Sequence, residues 1–223
     1  KNNEWVWGYR EYDNLGGFDP YSNSKACAEL ITSAYRDSYF KKPKPPFKDV
    51  AVATVRAGNV IGGGDWAENR LIPDIMQSLI NDDQVIIRNP NSIRPWQFVL
   101  EPLDGYLTLA ERLWTSGAEY AEGWNFGPNE NDAQSVSWIV EQLGKLWGRR
   151  TDWKELPQPY PHEANYLKLD CSKARQKLKW APKLNLHTTL KWVVEWYQGC
   201  CDDKNVAELT RNQITAYQDL NKP

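Results

Sequence analysis

The chain has 223 residues, a formal net charge of −2, and 41% hydrophobic and 13% aromatic residues, enough apolar side chains to fill a substantial core. So balanced a charge offers no general attraction to nucleic acid or anionic membrane, so any recognition of phosphate has to come from a few placed cations. No apolar run is long enough to span a membrane, and the expected partners are small molecules.

Four cysteines, Cys27, Cys171, Cys200 and Cys201, lack zinc-type spacing, and only two histidines are present; no metal site is expected, and a reducing cytoplasm suits the pattern. The start, Lys1-Asn2-Asn3-Glu4-Trp5, has neither an initiator methionine nor a signal-peptide pattern. It reads as if entered in mid-domain, and a fragment is the expectation.

Residues 1–18 carry Trp5, Trp7, Tyr9 and the turn-like Asn14-Leu15-Gly16-Gly17, which predicts an ordered loop. It leads into Asp19-Pro20-Tyr21-Ser22-Asn23-Ser24-Lys25. Asp19 can cap a helix and Pro20 suits its first position, so Tyr21 and Lys25 fall one turn apart on one face. An ammonium so near a phenol favours the phenolate, which suits a tyrosine exchanging protons with a sugar hydroxyl near neutral pH. The same spacing also arises by chance on solvated helix faces, and taken alone it leaves both readings open.

Cys27, Leu30, Ile31 and Ala34 recur at helical spacing and predict a buried stripe in a segment running to about Phe40. Lys41-Lys42-Pro43-Lys44-Pro45-Pro46 then stops the helix. Val50-Ala51-Val52-Ala53-Thr54-Val55 has the composition of a buried parallel strand. It is followed by Arg56-Ala57-Gly58-Asn59-Val60-Ile61-Gly62-Gly63-Gly64-Asp65. Helix, strand and glycine-rich loop in that order is the α/β pattern, in which ligands sit at the carboxyl ends of strands. Asn59 is thereby a candidate ligand contact, while a tight loop that needs glycine only for its backbone is the competing reading.

Leu71-Ile72-Pro73-Asp74-Ile75-Met76 begins a helix, and Val85-Ile86-Ile87-Arg88 and Ile93-Arg94-Pro95-Trp96-Gln97-Phe98-Val99 predict strands. Arg88 and Arg94 are candidate phosphate contacts, because a planar guanidinium matches phosphate oxygens. Leu103, Tyr106, Leu107, Ala110, Leu113 and Trp114 predict a helical stripe, and Trp124-Asn125-Phe126 a short strand. Val136, Ile139, Val140, Leu143 and Leu146 predict a helix stopped at Gly148. Asp170 is placed to cap a helix through Leu178, Leu190, Val193, Val194 and Tyr197 mark a strong stripe, and 206–220 is an amphipathic tail.

Several blocks carry a resemblance. Trp5-Val6-Trp7-Gly8-Tyr9-Arg10-Glu11, Asp19 through Lys25, Val55 through Trp66, Ile93-Arg94-Pro95-Trp96-Gln97, His162-Glu163-Ala164 and Tyr166 through Lys173 resemble the extended short-chain dehydrogenase/reductase family, and within it the CDP-glucose 4,6-dehydratases. The resemblance covers essentially the whole chain. It implies the C-terminal part of a Rossmann-type doubly wound parallel sheet plus a small mixed α/β substrate-binding lobe. Residues 1–68 and 95–123 would belong to the NAD-binding part, with 69–94 and 124–223 forming the nucleotide-sugar-binding lobe.

The activity implied is a lyase on tightly held NAD: oxidation of CDP-glucose at C4, loss of water across C5 and C6, and hydride return to C6, giving CDP-4-keto-6-deoxyglucose. Such a product serves deoxysugar biosynthesis of the lipopolysaccharide O-antigen kind. Tyr21 would take the proton of the 4-hydroxyl, and Lys25 would hold the nicotinamide ribose. Asn59, Arg70 and Leu71 would line the nucleotide-sugar site, Arg94 would hold the diphosphate, and Arg88, His162 and Tyr166 would serve the nucleotide end. A cytoplasmic homo-oligomer assembled through the Tyr/Lys helix is also implied.

Phe98 departs from the family, whose members tend to carry histidine there. The family's Gly-x-x-Gly-x-x-Gly turn and its Ser/Thr-Asp-Lys segment do not occur in these residues. The 223-residue chain alone is therefore expected neither to bind NAD tightly nor to turn over. Another nucleotide-sugar dehydratase or epimerase, and a non-catalytic nucleotide-sugar-binding relative, remain alternatives.

Overall fold

A computed structural model describes residues 2–40, 50–156 and 164–220. His162 and the basic turn at 41–46 lie outside them. Helix α1 (Pro20–Tyr35) starts as its sequence predicts, with extended Asp19 accepting from the Ser22 amide and Pro20 in the first turn, and it passes into a π-helical turn, Arg36–Phe40.

The apolar stripe expected to be buried on α1 is not. Leu30 and Ile31 are 58% and 59% exposed, Cys27 and Ala34 are exposed too, and Ala26 is the buried residue of the helix. The cause is a polar seat: the Glu29 carboxylate accepts from Thr54 Oγ1 at 2.6 Å and Arg56 Nε at 2.7 Å. A helix turns about 100° per residue, so directing Glu29 inward swings Leu30 and Ile31 outward.

Strand β1 (Thr54–Ala57) begins four residues later than the apolar run at 50, and Val55 is half-exposed rather than buried. Among the described residues its partner is β5 (Gly123–Phe126), to which it runs parallel; the strand is an edge. At Gly58 the chain leaves β5, since the Gly58 amide donates to Phe126 O at 3.1 Å and a Cβ there would meet Pro95 O at 2.3 Å. Strand β2 (Asn59–Ile61) then runs parallel to β4 (Ile93–Phe98), which pairs antiparallel with β6 (Ala133–Ser135). Strand β3 (Val85–Ile87) runs parallel to β7 (Trp153–Glu155).

The larger core gathers these strands against α2 (Leu71–Asn81), α4 (Val136–Trp147), α5 (Leu186–Cys201) and α6 (Val206–Asp219), with Ile75, Met76, Ile139, Leu143, Leu190 and Val193 fully buried. Gly148 ends α4 in the left-handed conformation, φ 97°, as its position predicts. Phe98 is buried with its ring edge-on to Trp192 at 5.3 Å, so the departure at this position is a matter of apolar packing.

A smaller core forms where α3 (Leu100–Ser116) places Leu109 against Trp124, Phe126, Ala174, Leu178 and Trp180. Here too the expected stripe is turned: Leu103, Leu107 and Trp114 are exposed. Gly105 sets the phase, because a Cβ on it would meet the Phe126 ring at 2.4 Å, and this close approach brings Glu101, Pro102 and Leu109 inward instead. Asp170 does cap the following turn, accepting from the Ser172 amide at 2.8 Å, but the turn winds as a π-helix, Ala174–Leu178. Cys171, Ala174, Leu178 and Trp180 share this core with Trp124 and Phe126 of β5. Among the described residues no helix is long and apolar enough to cross a membrane.

Candidate active site

Asp19 is the anchor of the Tyr/Lys turn. Its carboxylate accepts from the Ser22 amide at 2.9 Å and the Ser22 hydroxyl at 2.7 Å, and these bonds hold it below the ordinary carboxylate range. Asn23 Nδ2 donates to Gly17 O at 2.9 Å, tying the preceding turn to the helix. On this first turn the Lys25 Nζ lies 5.5 Å from the Tyr21 ring centroid, a cation facing the aromatic ring. Tyr21 is 72% exposed, so its phenol is open to an incoming hydroxyl.

The direction of α1 places that pair. Glu29 meets Thr54 and Arg56, and further along the helix Arg36 Nη1 donates to Val52 O at 3.5 Å. As α1 advances, its partners retreat along the strand, so helix and strand are antiparallel. Tyr21 and Lys25, two turns and one turn before Glu29, therefore lie toward the carboxyl end of β1. That end continues through Gly58 into Asn59, the first residue of β2 and level with Trp96 of β4. Tyr21, Lys25 and Asn59 thus share the strand end where α/β folds hold ligands.

A second group lies along β4. Arg94 is buried, with Nη1 donating to Ile93 O at 3.0 Å. Ile93 forms a parallel bridge with Tyr166, whose hydroxyl donates to Val6 O at 3.4 Å. A third group surrounds the start of α2. Arg70, exposed, pairs with Asp65 at 3.4 Å, Leu71 opens the helix, and Arg88 Nη2 donates to Asn69 Oδ1 at 2.9 Å. Arg94 thus lies on β4, and Arg88 directly follows β3.

The glycine run between these groups has a structural role. A Cβ on Gly63 would meet the Trp196 indole at 2.1 Å, and Tyr197 Oη donates to Asp65 O. The loop is glycine-rich because α5 packs directly on it, and no open cradle for a diphosphate remains at Gly63. Among the described residues the chemistry of Tyr21 and Lys25, a phenol beside an ammonium, fits the nicotinamide end of a dinucleotide, whereas the Gly62–Gly64 run does not fit its phosphates.

Two further features have no periodicity or motif to mark them in the sequence. One is a cleft of about 220 Å³ between Trp7, Gly8, Pro95, Asn129, Lys168 and Arg175, where Lys168 pairs with Glu130 at 3.2 Å and Arg175 donates to Asn129 at 2.9 Å. Lys168 falls within the stretch Tyr166 through Lys173 that carries the family resemblance. The other is Asn125, buried on β5, whose side chain donates to Tyr9 O at 2.9 Å and Asp170 O at 3.2 Å. Cys171 also lines the cleft, but burial pushes its thiol up to about 12, which leaves it protonated and a poor nucleophile.

Residues 8–120 match the family model described as "NAD dependent epimerase/dehydratase family". The chain is 53% identical over 216 residues to the CDP-glucose 4,6-dehydratase of Salmonella typhimurium, covering 97% of this chain and 60% of that relative. It is 25% identical over 189 residues to the dTDP-glucose 4,6-dehydratase of Haemophilus influenzae, covering 80% and 51%. The chain thus spans little more than half the length of these relatives. Among solved structures, a UDP-glucuronic acid 4-epimerase of Bacillus cereus aligns with a TM-score of 0.75 at 17% identity, over 89% of this chain and 58% of that one. A Bacillus anthracis dTDP-glucose 4,6-dehydratase solved with NAD aligns with a TM-score of 0.69 at 21% identity, over 86% and 56%. These likenesses are of fold: the Rossmann-like α/β architecture is common to all of them.

Proposed function

This chain belongs to the NAD dependent epimerase/dehydratase family, and from that premise we propose that its protein is an NAD-dependent lyase converting CDP-glucose to CDP-4-keto-6-deoxyglucose. The observation that carries the chemistry is the Tyr21/Lys25 turn seated at the carboxyl end of β1, level with the entry to Asn59. The identity to the Salmonella typhimurium relative supports the choice of nucleotide sugar.

Tyr21 takes the proton of the sugar 4-hydroxyl, and the exposed ammonium of Lys25 beside it holds the nicotinamide ribose. NAD, when bound, supplies the acceptor for the C4 hydride and returns it at C6, so the net redox change is zero. Oxidation comes first because a 4-ketone acidifies the C5 proton and permits elimination. Asn59, Arg70 and Leu71 line the sugar nucleotide, Arg94 serves its diphosphate, and Arg88, His162 and Tyr166 its nucleotide end.

We keep 1–68 with 95–123 as the NAD-binding unit and add β5 and 171–180 to it; 69–94 and the remainder of 124–223 form the sugar-nucleotide lobe. The exposed Leu30, Ile31 and Tyr35 on α1 support assembly of a homo-oligomer through this helix. The free cysteines suit the cytoplasm, where O-antigen deoxysugar synthesis would use the product.

Tyr21→Phe in the complete enzyme is expected to abolish turnover while leaving CDP-glucose affinity intact; unchanged turnover would remove Tyr21 from the mechanism. Offering CDP-, dTDP- and UDP-glucose to the same enzyme tests the substrate, and consumption of either of the latter without CDP-glucose refutes the assignment.

A further inference from the structure

The carboxylate that seats α1 is part of a longer chain of bonds. Glu29, with 18% of its side chain exposed, accepts from Thr54 Oγ1 and from Arg56 Nε. The other side of the same guanidinium, Nη1, donates to Glu11 O at 3.2 Å. Glu11 in turn accepts the Asn125 amide at 2.9 Å, and the Asn125 side chain bonds Tyr9 O and Asp170 O. Helix α1, strand β1, the loop before α1 and strand β5 are thus referred to one arginine.

Among the described residues apolar contact does not do this work. Ala26 is the buried residue of α1, and a single alanine fixes neither the rotation of a helix about its axis nor its position along it. Two directional bonds on one carboxylate fix both. Lys25 is one turn before Glu29 and Tyr21 one turn before that, so a change at Glu29 is passed to the phenol and the ammonium by a rigid helix.

Resting on the reading of Tyr21 and Lys25 as the catalytic pair, we propose that Glu29 is a positioning residue for the reaction, clamping α1 to Arg56 and Thr54 so that the phenol meets the sugar hydroxyl. Glu29 touches no substrate. Its contribution is geometric, and displacement of a reacting group by about 1 Å costs on the order of a hundredfold in rate.

The test is Glu29→Gln in the complete enzyme, beside Tyr21→Phe. The expected result is a fall in kcat of roughly ten- to a hundredfold, with KM for CDP-glucose within about twofold and the pH profile of kcat displaced, since the setting of Tyr21 against Lys25 has changed. Arg56→Gln should produce the same loss, and the double variant no more than either alone. Glu29→Asp, which keeps the charge and shortens the reach, should recover part of the rate. A Glu29→Gln enzyme that melts lower but keeps kcat and its pH profile overturns the proposal and leaves a structural ion pair. Should Glu29→Gln fail to fold, Thr54→Val removes one of the two bonds, and an unchanged kcat there is equally decisive. If Tyr21→Phe retains turnover, the functional reading itself has failed; if it is inactive while Glu29→Gln is normal, only the positioning role has.

Discussion

Replacing Gly63 with alanine should be the most damaging single methyl addition in the glycine run. The new Cβ would stand 2.1 Å from Trp196 Cγ and within 2.6 Å of two more of its atoms, about 1.3 Å short of ordinary contact. The indole cannot easily give way, because Trp196 is 8% exposed, donates to Thr210 Oγ1 at 3.0 Å and meets Tyr197 edge-on at 5.5 Å. Overpacking of this kind costs about 1–3 kcal/mol, and turning the indole would forfeit a hydrogen bond of about 1 kcal/mol; together roughly 2–4 kcal/mol. Neighbouring positions calibrate the effect. At Gly64, φ is +79°, so alanine there pays a left-handed backbone cost of about 1–2 kcal/mol. At Gly62, by contrast, the nearest atom is Val99 Cγ1 at 3.0 Å, and the penalty should stay below about 1 kcal/mol. Equilibrium urea unfolding of the three variants, followed by far-UV circular dichroism, should rank them Gly63, Gly64, Gly62. If Gly63→Ala is as stable as the parent but loses affinity for the nucleotide sugar, the loop is a ligand cradle and the packing argument is wrong.

Two further outcomes are expected. Glu101 is buried and accepts from the amides of Lys183 and Leu184 at 2.9 and 2.7 Å and from Tyr217 Oη at 2.8 Å; burial raises its carboxyl above the ordinary range, and these bonds oppose that only in part. A raised folded-state pKa means stability that is complete below the unfolded carboxyl pKa and lost as pH rises through the folded one. Tyr217→Phe, by removing a donor to the ionised form, should therefore destabilise by about 1–3 kcal/mol at mildly alkaline pH and by less in acid; a pH-independent deficit in thermal melts would contradict this. The 223-residue polypeptide on its own should show no NAD binding by calorimetry at micromolar concentrations, and micromolar affinity would show that its residues suffice for the cofactor.

The local signals were legible where a side chain acts on its own neighbours: Asp19 and Pro20 begin α1, Gly148 ends α4, and Leu190, Val193, Val194 and Tyr197 are buried along α5. The Tyr21/Lys25 spacing was also readable, and α1 brings the two together. What periodicity could not supply was orientation. It identifies an apolar face without saying what covers it, so Leu30 and Ile31 were expected inside, whereas Glu29, a polar residue silent in any hydrophobic pattern, decides how α1 lies. The phase of α3 depends on Gly105 meeting Phe126, and the meaning of Gly63 on Trp196, contacts between residues far apart in the chain. For Arg94 and Arg88 the residue type was visible but not the company each keeps, the Ile93 carbonyl for one and Asn69 for the other.

The pairing of Tyr9 with Leu169 and of Arg10 with Asp170, 160 residues later in sequence, also sets an order of events in time. Loop closure over such a span is unfavourable until other structure shortens it. During synthesis at roughly 5–20 residues per second, the segment that leads into Tyr21 would wait on the order of ten to thirty seconds for residues 169–170 to emerge. Until then the loop that offers the Glu11 carbonyl to Arg56 is unsettled. The turn bearing Tyr21 and Lys25 would therefore take up its final position only after residues 169–170 have been made.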